Sequence, residues 1–477
     1  MKNGKILISF LIVLTVMLLI HASEVQPKTI EGIWLGTLKV QGIEIRIVFN
    51  IVLTDQGIYE GTMDSPDQGA TGLRLDVVQF QENTLIIEFK QANIRYEANF
   101  IEEGEKLDGR FKQGGIDLPL EMTRIEEVPK ITRPQDPKKP YSYREEEVSY
   151  INSEANITLA GTLTSPDHEG TFPAVVLITG SGAQDRNEEV MGHRPFLVLA
   201  DHLTKNGIAV LRVDDRGVGG STGNIDDSTS IDFAQDVIAG VEFLKTRKDI
   251  NSKKIGLIGH SEGGLIAPIA ASMTQDVSFI VMMAGTGLTG EEIIYLQSRL
   301  IAQASGVKSE EIEQNLSDQR KIFTVVKGSE PVDVINEKLK KMFFEDFEAM
   351  SEDERQVMGD PEASFYSQVK QVTSRWFRFF LTCDPITYLR KVKCPVLAIN
   401  GEKDLQVPPK ENLAAIAQAL KDGGNTHVTI KELPGLNHLF QKATTGVPSE
   451  YAKINETINP EVLTLISSWI LEIIDMN

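Results

Sequence analysis

A serine between glycines gives the strongest chemical signal in this sequence. Ser261 lies in Gly259-His-Ser-Glu-Gly263, directly after the apolar run 254–258 and before the helix-compatible run 265–271. Glycines two positions on either side permit a tight strand-to-helix turn that leaves the serine hydroxyl exposed above a sheet. The arrangement therefore predicts a nucleophile for acyl transfer. A helix N-cap is the plainer alternative for this serine, but the glycine pair at 263 and 264 argues against it.

A serine hydroxyl is a weak nucleophile until a base removes its proton, and histidine suits this task because its pKa lies near working pH. His438 ends Leu433-Pro-Gly-Leu-Asn-His438, just past the carboxyl end of a predicted strand and before the final helix. His260 stands beside the serine, and we expect its ring to point away from the hydroxyl. The remaining histidines after the amino-terminal segment occupy less suitable positions: His168, His193, His202 and His427. We predict His438 as the base, with an ordinary surface-loop histidine as the alternative.

A buried carboxylate must hold the imidazole in the right tautomer by accepting its other ring proton. Asp404 ends the turn Gly401-Glu-Lys-Asp404, which follows the predicted strand 394–400. Glu402, two residues closer to that strand, is the rival. Between Asp404 and His438, the segment 413–432 leaves room for one helix and one strand. We predict Asp404 as the orienting acid, with a solvated turn carboxylate as the alternative.

Acyl transfer also needs amide donors for the oxyanion. The backbone amide of Glu262, directly after the nucleophile, is the first candidate. The second should come from Thr179-Gly-Ser-Gly182, which follows the apolar run 174–178 and whose glycines allow close backbone approach. We predict the Ser181 amide, with Gly182 almost equally suitable and an ordinary tight turn as the alternative.

These residues need a sheet that positions them. Near-continuous apolar runs alternate with helical stretches, and the runs are 174–178, 209–213, 254–258 and 279–283. Such a pattern is typical of a parallel sheet, whose chemistry gathers at the carboxyl ends of its strands. The sequence therefore predicts an α/β domain over 143–477.

A predicted helical insertion at about 290–384 interrupts this pattern and would fold over the serine as a cap. Trp376 and Phe380 share one face of a helix near its end, so both are candidates for lining a substrate pocket. An aromatic stripe of this kind is more often core than pocket wall. Gly182 and His193, in and after the oxyanion loop, are further candidates for substrate binding.

The amino-terminal part has a different pattern of apolar residues. From 30 to 125, short alternating runs such as 42–49 are separated by turn residues, which predicts seven or eight strands in a small barrel or sandwich. No residue in this accessory domain suggests a catalytic role. The segment 126–142 contains four prolines, which predicts a stiff, extended linker.

The first 22 residues resemble a signal peptide. Lys2 and Lys5 precede a charge-free run over 6–20 that ends at His-Ala-Ser, and we expect cleavage after Ala22. The protein should then be exported, to the periplasm or outside the cell, with no membrane contact after cleavage. An uncleaved amino-terminal anchor is the alternative, although the run is short for a bilayer span.

Composition excludes several classes of function. The chain has 477 residues, with 48 Lys and Arg against 68 Asp and Glu, so its formal charge is −20 and nucleic acid is an improbable partner. Two cysteines, Cys383 and Cys394, cannot make a disulfide framework or a Cys-rich zinc module. We expect two free thiols, with one bridge as the alternative in an exported protein. Gly217-Val-Gly219 lacks the helix start of a dinucleotide site. The predicted serine chemistry needs no cofactor, and no metal is expected.

The stretch from about Tyr141 to the carboxyl terminus resembles the α/β-hydrolase family, in particular exported bacterial carboxylesterases related to serine aminopeptidase-like hydrolases. The motifs that carry the likeness are Leu177-Ile-Thr-Gly-Ser-Gly182, Asp214-Asp-Arg-Gly-Val-Gly-Gly-Ser221, Gly259-His-Ser-Glu-Gly-Gly264, Asn400-Gly-Glu-Lys-Asp404 and Pro434-Gly-Leu-Asn-His438. The order Ser261, Asp404, His438 is the order of this family. The amino-terminal β domain, with Asp64-Ser-Pro-Asp-Gln-Gly-Ala70, also resembles an extra domain of some relatives. Thr179 departs from the pattern, because many relatives have histidine before the oxyanion glycine.

The resemblance and the residues together predict a serine hydrolase that cleaves small carboxylic esters through a Ser-His-Asp triad and an acyl-enzyme. An aminopeptidase on the same triad is the alternative, and it would need a carboxylate in the cap to hold the substrate's ammonium group. A non-catalytic binding protein on a hydrolase scaffold is a third hypothesis.

Overall fold

A computed structural model of the protein describes residues 29–40, 43–68, 70–101, 105–113, 116–128, 133–352, 355 and 361–476. The predicted signal peptide lies outside these residues, as do the linker positions 129–132. Within the described ranges, no helix combines the length and the apolar character needed to cross a bilayer.

Alternating apolar residues make the amino-terminal region a single antiparallel sheet. Its strands are β1 (Gly32–Val40), β2 (Ile43–Leu53), β3 (Tyr59–Ser65), β4 (Ala70–Arg74), β5 (Val77–Gln81), β6 (Thr84–Phe89), β7 (Ile94–Ile101), β8 (Lys106–Gln113) and β9 (Ile116–Ile125). They lie in the order β4-β3-β2-β1-β9-β8-β7-β6-β5. Phe49 pairs with Trp34 across β1 and β2, and both side chains are buried in one core with Tyr96. The sheet curls around this core as a half-barrel.

This sheet has nine strands in the described ranges, where the sequence predicts seven or eight. The difference arises at a corner between β4 and β5. The amide of Leu75 donates to the carbonyl of Gly61 in β3, whereas the amide of Asp76 donates to Glu88 in β6. Two neighbouring residues thus bond to opposite edges of the sheet, so one apolar stretch of sequence forms two short strands.

A second sheet of eight strands occupies the rest of the chain. Its strands are β10 (Tyr143–Asn152), β11 (Ile157–Pro166), β12 (Phe172–Ile178), β13 (Ala209–Val213), β14 (Ile250–His260), β15 (Phe279–Met283), β16 (Val396–Gly401) and β17 (Val428–Leu433). The order is β10-β11-β13-β12-β14-β15-β16-β17, with β10 and β11 antiparallel and the others parallel. The apolar runs predicted from the sequence form the central strands.

Helices cover both faces of this sheet and insert above its carboxyl edge. The helices are α1 (Pro195–Lys205), α2 (Ser230–Lys245), α3 (Gly263–Met273), α4 (Gly290–Ala304), α5 (Ser309–Val326), α6 (Val332–Ala349), α7 (Pro361–Val372), α8 (Arg375–Thr382), α9 (Pro385–Leu389), α10 (Pro409–Asp422) and α11 (Pro460–Met476). Helices α1 and α11 bury apolar side chains on one face of the sheet, and α2, α3, α9 and α10 on the other. This is the α/β-hydrolase architecture.

Helices α4 to α8 form the cap between β15 and β16. The cap has a core of its own, which contains Phe323, Leu339, Phe365 and Leu381. Helix α9 instead packs in the core beneath the sheet through Leu389. The cap helices therefore span 290–382.

The predicted linker lies along the second sheet's domain. The guanidinium of Arg133 donates to the carbonyls of Met191, Ala452 and Ile454 at 2.7–3.1 Å. Gln135 bonds to the backbone at 457 and 458. The sequence predicts an extended linker, but residues 133–136 form a turn closed by the hydrogen bond from the amide of Asp136 to the carbonyl of Arg133 at 3.1 Å. The polar side chains of this segment attach it to the loops before α11.

The two cysteines are free thiols in the structure. Cys383 is buried beside the cap, and Cys394 is partly buried before β16. Burial raises the pKa of each thiol to about 12. Both therefore remain protonated at neutral pH, as expected of structural thiols.

Candidate active site

Ser261 occupies a strained turn between β14 and α3. Its φ is +54°, in the left-handed region that non-glycine residues seldom adopt. The amide of Ser261 donates to the carbonyl of Met283 at 2.9 Å, which fixes the turn against β15. A Cβ on Gly259 would lie 1.9 Å from the carbonyl oxygen of Gly263. The flanking glycines are therefore required by the close packing of strand, turn and helix.

Asp404 and His438 form a buried hydrogen-bonded pair. Oδ2 of Asp404 lies 2.8 Å from Nδ1 of His438, and Asp404 is 1% exposed. The other carboxylate oxygen accepts the amides of Gln406 and Val407, each at 2.8 Å. These amides stabilise the ionised carboxylate, which holds the proton of His438 on Nδ1 and leaves the lone pair on Nε2.

The rival carboxylate has a different role. Glu402 is exposed and accepts a hydrogen bond from the amide of Gly435 at 2.7 Å. It thus supports the loop that carries His438 from outside, and it does not contact the imidazole. Of the two candidates that the sequence left open, the geometry favours Asp404.

The loop of His438 lies against the serine turn. Nε2 of His260, the residue before Ser261, lies 3.0 Å from the carbonyl oxygen of His438, and the two imidazole rings are 4.8 Å apart. In the described part of the chain, neither Oγ of Ser261 nor Nε2 of His438 has a hydrogen-bond partner. The structure therefore brings the two loops together without the serine–imidazole hydrogen bond, which in enzymes without substrate is often long.

Two amides are available for an oxyanion. The amide of Gly180 is already bonded to Glu188 at 2.7 Å. Among the described residues, the amides of Ser181 and Glu262 have no such partner, and both residues line a cavity that also contacts Ser261. Gly182 lines a neighbouring cavity instead. Between the two candidates after β12, the geometry favours Ser181.

The cavity above Ser261 has a volume of about 480 Å³ and is roofed by the cap. Trp376 and Phe380 of α8 lie in its wall, where their rings stack with centroids 5.4 Å apart and planes 13° apart. The structure thus places these two predicted pocket residues beside the serine. This volume falls within the range of small-molecule sites.

Glu262 has a side-chain environment that the sequence did not reveal. Its carboxyl is buried, and Oε1 accepts hydrogen bonds from Oγ of Ser230 at 2.6 Å and from Nε1 of Trp376 at 2.8 Å. Burial raises the pKa of Glu262. The sequence motif predicts a role only for the amide of Glu262, although a carboxylate between a serine and a glycine pair at a buried turn is itself a signal.

His193 does not reach the cavity, so its predicted role in substrate binding is wrong. Its ring is 0% exposed and lies between Thr457 and the carbonyl of Tyr451, at 3.0 and 2.9 Å. Burial lowers the pKa of His193 to about 4, so the ring is neutral. It attaches the loop before α1 to the segment before α11.

Comparison with known proteins identifies the family of this chain. A family model described as serine aminopeptidase, S33, matches residues 194–442, which is more than half of the chain. The chain belongs to this family. The matched region of this family member includes Ser261, Asp404 and His438, and it excludes the half-barrel and the oxyanion loop after β12.

Curated relatives of this serine aminopeptidase family member include an esterase. Esterase EstD of Thermotoga maritima is 26% identical over 367 residues, which cover 76% of this chain and 78% of that protein. An acyl transferase of Photorhabdus laumondii is 32% identical over 124 residues, which cover 26% of this chain and 37% of the relative.

Solved structures similar to this family member include an esterase and the protein Est1E. The esterase Pf2001 of Pyrococcus furiosus is 19% identical, with a TM-score of 0.40, and the match covers 69% of this chain and 93% of the esterase. Est1E of Butyrivibrio proteoclasticus, solved with ferulic acid, is 17% identical with a TM-score of 0.40, covering 69% and 99%.

Proposed function

We propose that the protein is a serine hydrolase that cleaves small carboxylic esters. Oγ of Ser261 attacks the ester carbonyl while Nε2 of His438 takes the hydroxyl proton. The tetrahedral intermediate collapses, and the proton passes from His438 to the departing alcohol. A water molecule, deprotonated by His438, then attacks the acyl-enzyme and releases the carboxylic acid.

The observation that carries this proposal is the hydrogen bond between Asp404 and His438 beside the serine turn. A buried carboxylate on Nδ1 stabilises the imidazolium that forms when His438 accepts a proton. The free amides of Ser181 and Glu262 would stabilise the negative charge that develops on the carbonyl oxygen. The positions of these residues support the proposal, because they follow β12, β14, β16 and β17 at the carboxyl edge of one sheet.

The lining of the cavity favours an ester over a peptide with a free amino terminus. Among the described residues that line it, Glu262 is the only ionisable one. Its carboxyl comes from the serine turn rather than the cap, already accepts two hydrogen bonds, and has a pKa raised by burial. An ammonium group would need an ionised carboxylate there. The similarity to esterase EstD also supports an ester substrate.

The test is hydrolysis of p-nitrophenyl butyrate by the mature protein and by Ser261→Ala. Ser272→Ala is the matched control, because Ser272 lies near the end of α3, the helix that follows Ser261, and its hydroxyl donates to the carbonyl of Ile269. We expect Ser261→Ala to lose about 10³-fold or more in kcat, and Ser272→Ala to keep its rate. Equal rates in Ser261→Ala and the parent protein would overturn the proposal.

A covalent probe tests the nucleophile directly. A fluorophosphonate should label the protein once, and mass spectrometry should locate the adduct on the peptide that contains Ser261. Turnover of amino-acyl amides at rates similar to those of esters would favour the aminopeptidase. Absence of labelling, with a folded protein, would favour the non-catalytic binding protein.

We also propose that the chain is exported and that its leader is removed after Ala22. The basic residues and the charge-free run of the first 22 positions support this proposal. Mass spectrometry of the protein from periplasm and medium should give a chain that begins at Ser23. A full-length chain in the membrane fraction would contradict the proposal and favour the uncleaved anchor.

A further inference from the structure

Beneath the candidate triad lies a buried acid–histidine pair that the proposed chemistry does not use. Oε1 of Glu188 is 2.9 Å from Nδ1 of His260, and the two residues are 4% and 6% exposed. Nε2 of His260 is 3.0 Å from the carbonyl oxygen of His438. His260 precedes Ser261, so one imidazole contacts both the serine turn and the loop of the base.

The same carboxylate oxygen also holds the oxyanion loop. Oε1 of Glu188 accepts the amide of Gly180 at 2.7 Å, and Gly180 precedes the proposed oxyanion donor Ser181. A Cβ added to Gly180 would lie 3.3 Å from Oε1 of Glu188 and 3.4 Å from Cβ of Ser261, so these groups are closely packed. Through Glu188 and His260, the oxyanion loop, the serine turn and the base loop are connected by three hydrogen bonds.

The hydrogen-bond partners determine the charge of His260. A backbone carbonyl can only accept a hydrogen bond, and an ionised carboxylate can only accept as well. Both ring nitrogens of His260 must therefore donate, which requires the imidazolium form. Burial alone would lower the pKa of His260, but the Glu188 carboxylate more than compensates, and the pKa lies above its usual value.

Glu188 is held in an unfavourable state. Its φ is +52°, and in the described part of the chain its Oε2 is buried without a hydrogen-bond partner. Left-handed backbone at a non-glycine residue and an unsatisfied buried oxygen each cost free energy, and such features cluster at functional sites. The surrounding loop retains this strained residue, and its one satisfied oxygen serves the candidate active site.

We propose that Glu188 and His260 form a permanent carboxylate–imidazolium pair that positions the Ser181 amide and the His438 loop around Ser261. Both are positioning residues, since neither contacts the reacting atoms. This inference rests on the proposed ester hydrolysis for its kinetic test, but the charge state of His260 can be measured independently.

The variant Glu188→Gln separates charge from shape. If the glutamine oxygen replaces Oε1, it can accept from Gly180 and from Nδ1 of a neutral His260, whose Nε2 then lacks the proton needed by the carbonyl of His438. In the other neutral tautomer, Nε2 of His260 keeps its bond to the carbonyl of His438. Nδ1 then needs a hydrogen-bond donor from the side chain of residue 188, at the position where the amide of Gly180 needs an acceptor. No neutral form of His260 satisfies all three bonds, whereas a protonated His260 with the glutamine oxygen does.

The kinetic test uses p-nitrophenyl butyrate with Glu188→Gln, Glu188→Asp and Glu189→Gln. Glu189 is the exposed neighbour and serves as the matched control. We expect Glu188→Gln to lose about 10- to 100-fold in kcat with little change in KM, the size expected for misplaced catalytic groups. Glu188→Asp, which keeps the charge, should recover part of that loss.

The pH dependence distinguishes positioning from general damage. The titratable groups that face the pair are Asp215 after β13, Asp404 after β16 and His438 after β17. Without the carboxylate, burial lowers the pKa of His260 in Glu188→Gln, so the ring should regain its proton, and with it the three bonds, only as the pH falls well below 7. The ratio of kcat in Glu188→Gln to kcat in the parent should therefore rise as the pH falls from 8 towards 5. A ratio that does not change with pH would overturn the proposal.

The charge of His260 can be read by NMR with ¹⁵N-labelled histidine, assigned with His260→Asn. We expect an imidazolium signal from His260 in the parent protein at pH 7 and a neutral ring in Glu188→Gln. A neutral His260 in the parent would overturn the proposal even if Glu188→Gln fails to fold. If the parent and Ser261→Ala hydrolyse esters equally, the proposed function fails, while the NMR result still decides whether the charged pair exists.

Discussion

The indole N–H of Trp376 donates to Oε1 of Glu262 at 2.8 Å. Trp376 belongs to the cap helix α8, and Glu262 directly follows the proposed nucleophile. The roof of the cavity is therefore bonded to the same residue whose amide we propose as an oxyanion donor. This hydrogen bond connects the cap to the serine turn.

Trp376→Phe should weaken substrate binding more than the chemical step. Phenylalanine keeps an aromatic ring against Phe380 but removes the donor, and a hydrogen bond of this kind contributes about 1 kcal/mol. We expect KM for p-nitrophenyl butyrate to rise about 5-fold, with kcat within a factor of three. Trp469→Phe is the control. This substitution also removes an indole hydrogen bond, to Oγ1 of Thr429, but it does so on the face of the sheet that α1 and α11 cover. A large loss of kcat at constant KM would contradict this role.

Asp404→Asn should reduce activity severely. Asparagine fits the site, but its oxygen and amide can no longer stabilise both the Nδ1 proton and the imidazolium. We expect kcat to fall about 10⁴-fold. Glu402→Gln, in the same turn, should keep at least half of the parent rate, because the glutamine oxygen can still accept the amide of Gly435 as the carboxylate does. If Glu402→Gln lost as much activity as Asp404→Asn, the assignment of the acid would be reversed.

The hydrolase sheet and the candidate triad could be predicted because each leaves a local pattern. A two-residue period over 42–49 predicts a strand with one buried face in the amino-terminal sheet, and continuous apolar runs such as 254–258 predict central parallel strands in the second sheet. Ser261 lies in a turn that only glycines can flank, and Asp404 and His438 each follow a strand. Their convergence follows from the sheet, since the carboxyl ends of parallel strands meet at one edge.

The remaining features depend on contacts between distant parts of the chain. Glu188 lies in a charged loop whose composition predicts exposure to solvent, and its partner His260 is 72 positions away. The position of His193 in the sequence is compatible with a role in substrate binding, but residues more than 250 positions later bury its ring. The side chain of Glu262 is recognised only once α8 lies above the turn. Burial of a charged residue has no local period, so the sequence alone could not separate these three.

Asp215→Asn should change how stability varies with pH. Burial raises the pKa of Asp215 to about 7. Because this pKa is higher in the folded chain than in the unfolded chain, the contribution of Asp215 to stability is complete below about pH 4 and is lost as the pH rises towards 7. Asparagine mimics the neutral acid, since its amide can donate to Thr179 while its oxygen accepts the amide of Gln184.

The measurement is urea unfolding of the parent protein and Asp215→Asn between pH 4.5 and 7. We expect the variant to gain stability relative to the parent as the pH rises, by at most about 1.4 kcal/mol per pH unit. Asp226→Asn, at an exposed position, should show no such trend. A constant difference between the parent and Asp215→Asn would show that Asp215 titrates normally.

Val372→Phe should shorten the acyl chains that the protein accepts. Val372 and Ile322 border both the cavity above Ser261 and a second cavity of about 290 Å³ within the cap, which is floored by apolar residues such as Phe343. If the two cavities are continuous past Val372, a long acyl chain bound in the first extends into the second, and a larger side chain at position 372 would obstruct it. We expect kcat/KM for p-nitrophenyl laurate to fall about 10-fold relative to the butyrate. Val334→Phe, at an exposed cap position, is the control, and an identical chain-length profile in Val372→Phe and the parent protein would show that the two cavities do not share one substrate.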